Sequence, residues 1–349
     1  MKKTFSLISL IILIILPVTS VFGQGTEGDL DAAIRWLEQQ QQEDGGFSNG
    51  FAPESDIGTT ADAVLVMVQA GSDPANLEKS GYSPLDFLAK RVYAGEVESP
   101  GVIAKVILAV NAVGIDPREF GGADLVEVLL GEYDVSTGFF GMGPFDSALA
   151  ILALEALDEA LPEGVIESVL ATRYKDGSYS FNADPTITTG DSNTTSFVVQ
   201  ALIAAGEEDR IDPSMSYFAA VQNEDNGWTF QKPSEFGEET DTNSTSLAMQ
   251  ALDAAEEDLS DWGDPLVALV NLQEPSGGFS FSESFRGENI LATIQAIPVL
   301  AGATYLNPTA PSTIQESLIS EVALVIFVLL LAVLTLAYIV VRVRSRASS

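Results

Sequence analysis

The chain has 349 residues, 50 of them acidic and 16 basic, for a net charge of −34, and it contains neither histidine nor cysteine. That excludes a Ser-His-Asp triad, a thiol nucleophile, an imidazole acid or base, a zinc site of the usual nitrogen and sulfur ligands, and any disulfide. So negative a chain also repels phosphate backbones, which excludes nucleic acid as a partner.

Lys2 and Lys3 precede an apolar stretch from Phe5 to Pro17, and Val21-Phe22-Gly23 meets the small-residue rule for cleavage. Residues 1–23 therefore read as a secretory signal peptide cut after Gly23, with an uncleaved N-terminal anchor as the alternative. Because no cysteine follows the apolar run, a lipoprotein is excluded.

Residues 24–302 repeat. Gln41-x-x-Asp44-Gly45-Gly46-Phe47 recurs as Gln222-x-x-Asp225-Asn226-Gly227-Trp228 and as Gln273-x-x-Ser276-Gly277-Gly278-Phe279, with weaker copies at Asp176-Gly177-Ser178-Tyr179 and Thr137-Gly138-Phe139. Each turn follows a helical apolar pattern and precedes a loop and a second, more apolar helix. The second helices align on Asp56, Asp146, Asp191 and Asp241, and counting back from Gly114 and Gln295 places Ser99 and Arg286 at the same point of the other two copies. Six units result, each predicted as helix, Gly-aromatic turn, loop, helix. The first helix carries more charge and is expected to face solvent; the second is apolar nearly all round, as a helix buried on several sides is. Six hairpins that all bury their second helices close into a ring, since an open solenoid would need polar end caps and none is evident. The fold class expected is all-α, an (α/α)6 toroid.

Residues 303–320, with Pro308 and Pro311 among Ser, Thr and Asn, read as a linker. Within 321–349, Val322 to Val341 is a run of 20 uncharged residues followed by Arg342, Arg344 and Arg346. Such a run spans a bilayer as a helix, and the arginines place the tail in the cytoplasm and residues 24–320 outside, at the surface or in the periplasm. Setting aside Lys2, Lys3, the three tail arginines and Glu321 leaves 49 acids and 11 bases in residues 24–320, a net of −38.

The Gln-x-x-Asp-Gly-Gly-aromatic turns, and inner helices that open with Asp-x-x-(Ser/Thr)-Thr, make residues 29–302 similar to the terpenoid cyclase and protein prenyltransferase α/α toroid superfamily, which also includes cobalamin carriers and the complement thioester fragment. The resemblance is specific for fold and not for activity. Protein prenyltransferases hold zinc with Asp, Cys and His, and two of those three are missing here. Class II terpene cyclases protonate an alkene with the middle acid of Asp-x-Asp-Asp; the nearest stretches, Asp191-Ser192-Asn193 and Asp241-Thr242-Asn243, carry an amide at that place, and an amide cannot donate the proton. The thioester needs cysteine.

Two sets of residues stand out. Phe47, Phe139, Tyr179, Trp228 and Phe279 follow the turn glycines and are expected to pack between hairpins. Asp56, Asp146, Asp191 and Asp241 begin apolar helices, so they are either N-caps or, with Asn193 and Asn243, a ligand-binding cluster gathered at one mouth of the ring. Asn193-Thr194-Thr195 and Asn243-Ser244-Thr245 also match the N-glycosylation sequon, which recurs because the repeat recurs. Oxygen atoms of this kind suit calcium, although no EF-hand-like loop exists. The function expected is a membrane-anchored binding or surface-interaction module for an extracellular small molecule, glycan or protein, without cofactor. The alternative is a carboxylate enzyme, cyclase-like or acting on glycans, with its site at the mouth.

Overall fold

The structure, a computed structural model, describes residues 28–234 and 237–306. The expected signal peptide and membrane helix lie outside the described residues. Among the described residues no helix is long and apolar enough to cross a membrane.

Twelve helices alternate along the chain. The odd-numbered ones, α1 (Leu30–Gln39), α3 (Pro84–Tyr93), α5 (Leu125–Gly131), α7 (Val165–Ala171), α9 (Asp212–Val221) and α11 (Leu266–Val270), form the outer layer. The even-numbered ones, α2 (Ile57–Gln69), α4 (Pro100–Ala112), α6 (Pro144–Glu155), α8 (Ser192–Ala204), α10 (Thr242–Ala254) and α12 (Ile290–Ala301), are buried almost throughout and form the inner layer. Each inner helix packs on the next, and α12 returns to α2, which closes the ring.

The repeated motif explains the closure. The turn glutamine donates both within its own turn and to the following hairpin: Gln41 Nε2 to Tyr82 O (3.2 Å), Gln222 Nε2 to Trp262 O (2.8 Å). The last copy does the same to the first, with Gln273 Nε2 donating to Asp29 O (2.8 Å) while Asp29 N–H donates back to Gln273 Oε1 (2.9 Å). The glycine that follows makes room for this approach. Gly277 has φ +102°, and a Cβ there would lie 2.2 Å from Ala32 O.

A second bond sets the register. The amide of the turn aromatic donates to a hydroxyl in the first turn of its inner helix: Phe47 to Thr60 (2.9 Å), Tyr179 to Thr195 (3.0 Å), Trp228 to Thr245 (2.9 Å) and Phe279 to Thr293 (2.8 Å). In the third repeat the donor is Phe140, to Ser147 (3.0 Å), so Phe140 and not Phe139 is the buried turn aromatic; Phe139 is half-buried. Four residues before each hydroxyl stands the helix cap, which puts the third and sixth at Gly143 and Asn289, three residues away from Asp146 and Arg286. The third loop holds only two residues between Phe140 and Gly143, so matching its Asp-Ser pair to the other copies shifts the alignment.

Two residues beyond the hydroxyl, the inner helices carry Asp62, Lys105, Leu149, Phe197, Leu247 and Gln295 at equivalent positions. These face the ring axis, as the Lys105 Nζ–Asp62 Oδ2 pair (2.6 Å) between neighbouring helices shows. The axis itself is filled from the C-terminal side. After Gly302 (φ +63°) the chain turns back into the ring. Gln69 Nε2 of α2 donates to Thr304 O (2.9 Å), and Tyr305 N–H donates to Gln200 Oε1 of α8 (3.0 Å). In a six-helix ring α2 and α8 are opposite one another, so a segment held by both lies on the axis. Ala303, Thr304 and Tyr305, at the head of the segment read as a linker, are buried in the packed domain.

Candidate functional site at the N-terminal mouth of the ring

All six inner helices begin at one end of the ring, and the aspartates there are used first as caps. Asp56 Oδ1 accepts from Thr59 N (2.7 Å), Asp191 Oδ1 from Thr194 N (2.7 Å) and Asp241 Oδ1 from Ser244 N (2.8 Å). Asn289 does the same for α12 through Ala292 N (3.0 Å). Such caps satisfy orphan amides and put an acceptor at the positive end of the helix. Asp191 and Asp241 are almost fully buried, and desolvation pushes both up to about 6 despite the amides that hold them.

Asp146 works differently. It lies inside α6, where its carboxylate accepts from Met142 N (3.1 Å) and from the Gly101 amide of the neighbouring α4. Ser99, at the start of α4, makes no side-chain cap of its own. Asp146 thus caps in trans the one inner helix whose N-terminal loop lacks the turn motif, and a Cβ on Gly101 would sit 2.5 Å from its Oδ1. Burial pushes the Asp146 carboxyl up as well.

Asn193 and Asn243 sit four residues before Phe197 and Leu247, on the same axis-facing stripe of two adjacent helices. Their Oδ1 atoms are buried and have no hydrogen-bond partner among the described residues. At the equivalent positions of α2 and α4, across the axis, stand Gly58 and Gly101. Two amides therefore face two positions without side chains, and beneath those glycines lies the Asp62–Lys105 pair. Burial pushes the Asp62 carboxyl up against the pull of the Lys105 ammonium, and its Oδ1 is also without a partner. The sequon hydroxyls of Thr195 and Thr245 are taken by the turn-aromatic amides.

The rim was not foreseen. In repeats four to six the buried turn aromatic is followed by Ser or Thr and then Phe: Tyr179-Ser180-Phe181, Trp228-Thr229-Phe230 and Phe279-Ser280-Phe281. The carbonyl of that Phe accepts from the start of the preceding inner helix, Phe230 O from Ser192 N and Phe281 O from Thr242 N (both 2.8 Å), so each strand overlaps its neighbour. The side chains of Phe181, Phe230 and Phe281 are 48%, 47% and 38% exposed, and Phe51 and Phe285 in adjoining loops are 87% and 66% exposed. Among the described residues these five are all the phenylalanines exposed to that degree, and all sit at this end. Alternation of buried aromatic, small hydroxyl and Phe was the signal in the sequence. The ring of Phe181 stacks on Phe145 (4.9 Å), Phe145 meets Phe197 edge-on (5.4 Å), and Phe197 meets Tyr305 edge-on (5.0 Å), forming a column from rim to axis. Among the described residues no three acidic side chains gather as a metal ligand set.

A closed ring of six inner and six outer helices defines an α/α toroid. The chain belongs to the prenyltransferase alpha-alpha toroid domain family, whose model matches residues 4–94 and 137–281. No curated protein sequence matches the chain. Among solved structures it is similar to the type II terpene cyclase MstE from Scytonema (12% identity, TM-score 0.56, covering 78% of this chain and 96% of that one). It is also similar to an unsaturated glucuronyl hydrolase specific for heparin (10%, 0.59, 82% and 96%) and to haptocorrin in complex with Cbi (16%, 0.53, 81% and 68%). At these identities the likeness is one of fold.

Proposed function

We propose that this chain is an exported toroid, held to the membrane by its C-terminal helix, that serves as a binding module through its N-terminal mouth. The observation that carries this reading is the gathering of exposed phenylalanines: among the described residues all five rim the mouth, while the axis behind it is occupied by Tyr305. Contiguous apolar surface on a strongly acidic domain marks an interaction face. Asn193 and Asn243 supply unpaired acceptors inside the rim, so the ligand brings hydrogen-bond donors beside an apolar face, as glycans and protein loops do. Leu306 lies beside the C-terminal ends of α6 and α8, across the ring from the mouth.

The test compares full-length protein in detergent with the variant Phe181→Ser/Phe230→Ser/Phe281→Ser on glycan and peptide arrays, with calcium chloride added in a parallel set. Ligands retained by the parent and lost by the variant support the reading; identical profiles overturn it. A second reading, carboxylate catalysis at the mouth, is favoured by the raised pKa values of Asp191 and Asp241 on adjacent helices. Turnover of a polyprenoid or an oligosaccharide that disappears in Asp191→Asn/Asp241→Asn would replace the first reading.

A further inference from the structure

The strap Ala303–Leu306 fills the axis in a way unlike ordinary core packing. Its contacts are those of a bound peptide: one backbone carbonyl and one backbone amide held by glutamines on opposite helices, and one aromatic side chain in a socket. The socket pairs an aromatic wall with polar groups at the hydroxyl end. Phe197 meets the Tyr305 ring edge-on, the Gln295 amide lies beside its hydroxyl, and Asp62 is close enough to raise its pKa.

The fit is also incomplete. Gln69 Oε1, Gln250 Oε1 and Asp62 Oδ1 are buried without partners, each a cost that a finished core avoids. Clefts of about 150 Å³, beside Gln250 and Ala303, and about 260 Å³, beside Tyr305 and Leu306, flank the strap on both sides. The strap hangs from Gly302, in a left-handed conformation with open space around its Cα, and just before it Pro298 interrupts the amide ladder of α12. Ala303 N–H donates to Pro298 O (2.8 Å), so Gly302 ends α12 as a left-handed cap, and the segment beyond it, held by a few bonds and flanked by space, can leave its site without dismantling the ring.

The geometry points to a peptide-binding site on the ring axis, selective for an extended segment that carries a phenol side chain, and occupied by the chain's own Thr304–Tyr305 as a releasable latch. Its release would act on the mouth. Phe197, Phe145 and Phe181 form one path of ring contacts from the socket to the rim, so withdrawal of Tyr305 removes the support under Phe181. This inference stands on the described ring alone and does not require a particular ligand at the mouth.

The test uses full-length protein and p-cresol as the probe. In Tyr305→Ala the vacated socket binds p-cresol, read as a rise in Tm with probe concentration that the parent lacks, and amide exchange at Phe145 and Phe197 speeds up about tenfold or more. Gln200→Leu keeps the aromatic but loses the amide clamp; exchange at Tyr305 accelerates while p-cresol still fails to bind. The proposal is overturned if Tyr305→Ala binds no p-cresol with exchange at Phe145 and Phe197 unchanged, or if the parent binds the probe equally well. Should Tyr305→Ala not fold, Gln200→Leu and Tyr305→Phe decide: unchanged exchange across Ala303–Leu306 in both overturns the latch.

Discussion

At its N-terminal end the ring is closed by bonds that recur from repeat to repeat, whereas at the C-terminal end a single unrepeated strap fills the axis. Side-chain caps appear in four of the six units, amide-to-hydroxyl bonds in five and glutamine staples in three, so losing one leaves the rest in place. The strap has no second copy, and Gln69, Gln200 and Gln295 each do a job that no equivalent residue repeats. One end is redundant and the other is singular, and they should respond differently to substitution.

The largest break at the redundant end is Trp228→Ala. Trp228 is fully buried, with its indole N–H donating to Phe218 O (2.9 Å), and its loss should cost about 3–5 kcal/mol in a urea titration. A loss below about 1 kcal/mol would show that the turn aromatics do not hold the hairpins together.

Next comes pH. Folded, Asp191 and Asp241 keep their protons up to about 6, whereas the ordinary value is 3.8. Below the lower value the two groups cost nothing, and as pH rises towards 6 each removes up to about 3 kcal/mol of stability. Their contribution therefore grows more favourable as pH falls from 6 towards 4. Asn caps as well as Asp, so Asp191→Asn/Asp241→Asn should fold and show a flatter dependence of Tm on pH in that window than the parent.

Smaller effects sharpen the contrast between cis and trans capping. Thr245→Val leaves the Trp228 amide buried without its acceptor, at about 1–3 kcal/mol. Asp146→Ala uncaps α4 and should cost about 1 kcal/mol, and adding Ser99→Asp should restore much of it by capping that helix from its own repeat. Phe281→Ser, on the rim, should change stability by less than about 0.5 kcal/mol while weakening whatever the mouth binds, a split that an array and a melt measured together would reveal.

The same redundancy governed what could be read from the sequence. Ring closure, inner and outer helices, and the capping aspartates at 56, 191 and 241 were legible because a pattern seen several times in one chain acts as its own alignment. Where the pattern is degraded, as in the short third loop, Phe139 stood in for Phe140 and Asp146 for Gly143. Its use as a cap for a neighbouring helix is a tertiary relation that leaves no trace in local spacing. Tyr305 was invisible for the opposite reason: it occurs once, next to Pro308 and Pro311, in a stretch whose composition reads as linker, and only the glutamines on distant helices define its place.

The seam between the last hairpin and the first has a kinetic meaning. Five of the six junctions join residues about one repeat apart, as Asp62 and Lys105 are at 43 positions, but Asp29 and Gln273 are separated by 244. Bringing those two together costs about 1.5 kcal/mol more loop entropy than joining neighbours, and contacts so distant in sequence form slowly. Folding is thus expected to run through an open, C-shaped array that shuts last at Gln273. A circular permutant that joins residue 306 to residue 28 through a flexible linker and opens the chain between Gly95 and Pro100 would make this seam a local contact and the Asp62–Lys105 junction the distant one, so the last step of refolding should move from Gln273 to the α2–α4 junction.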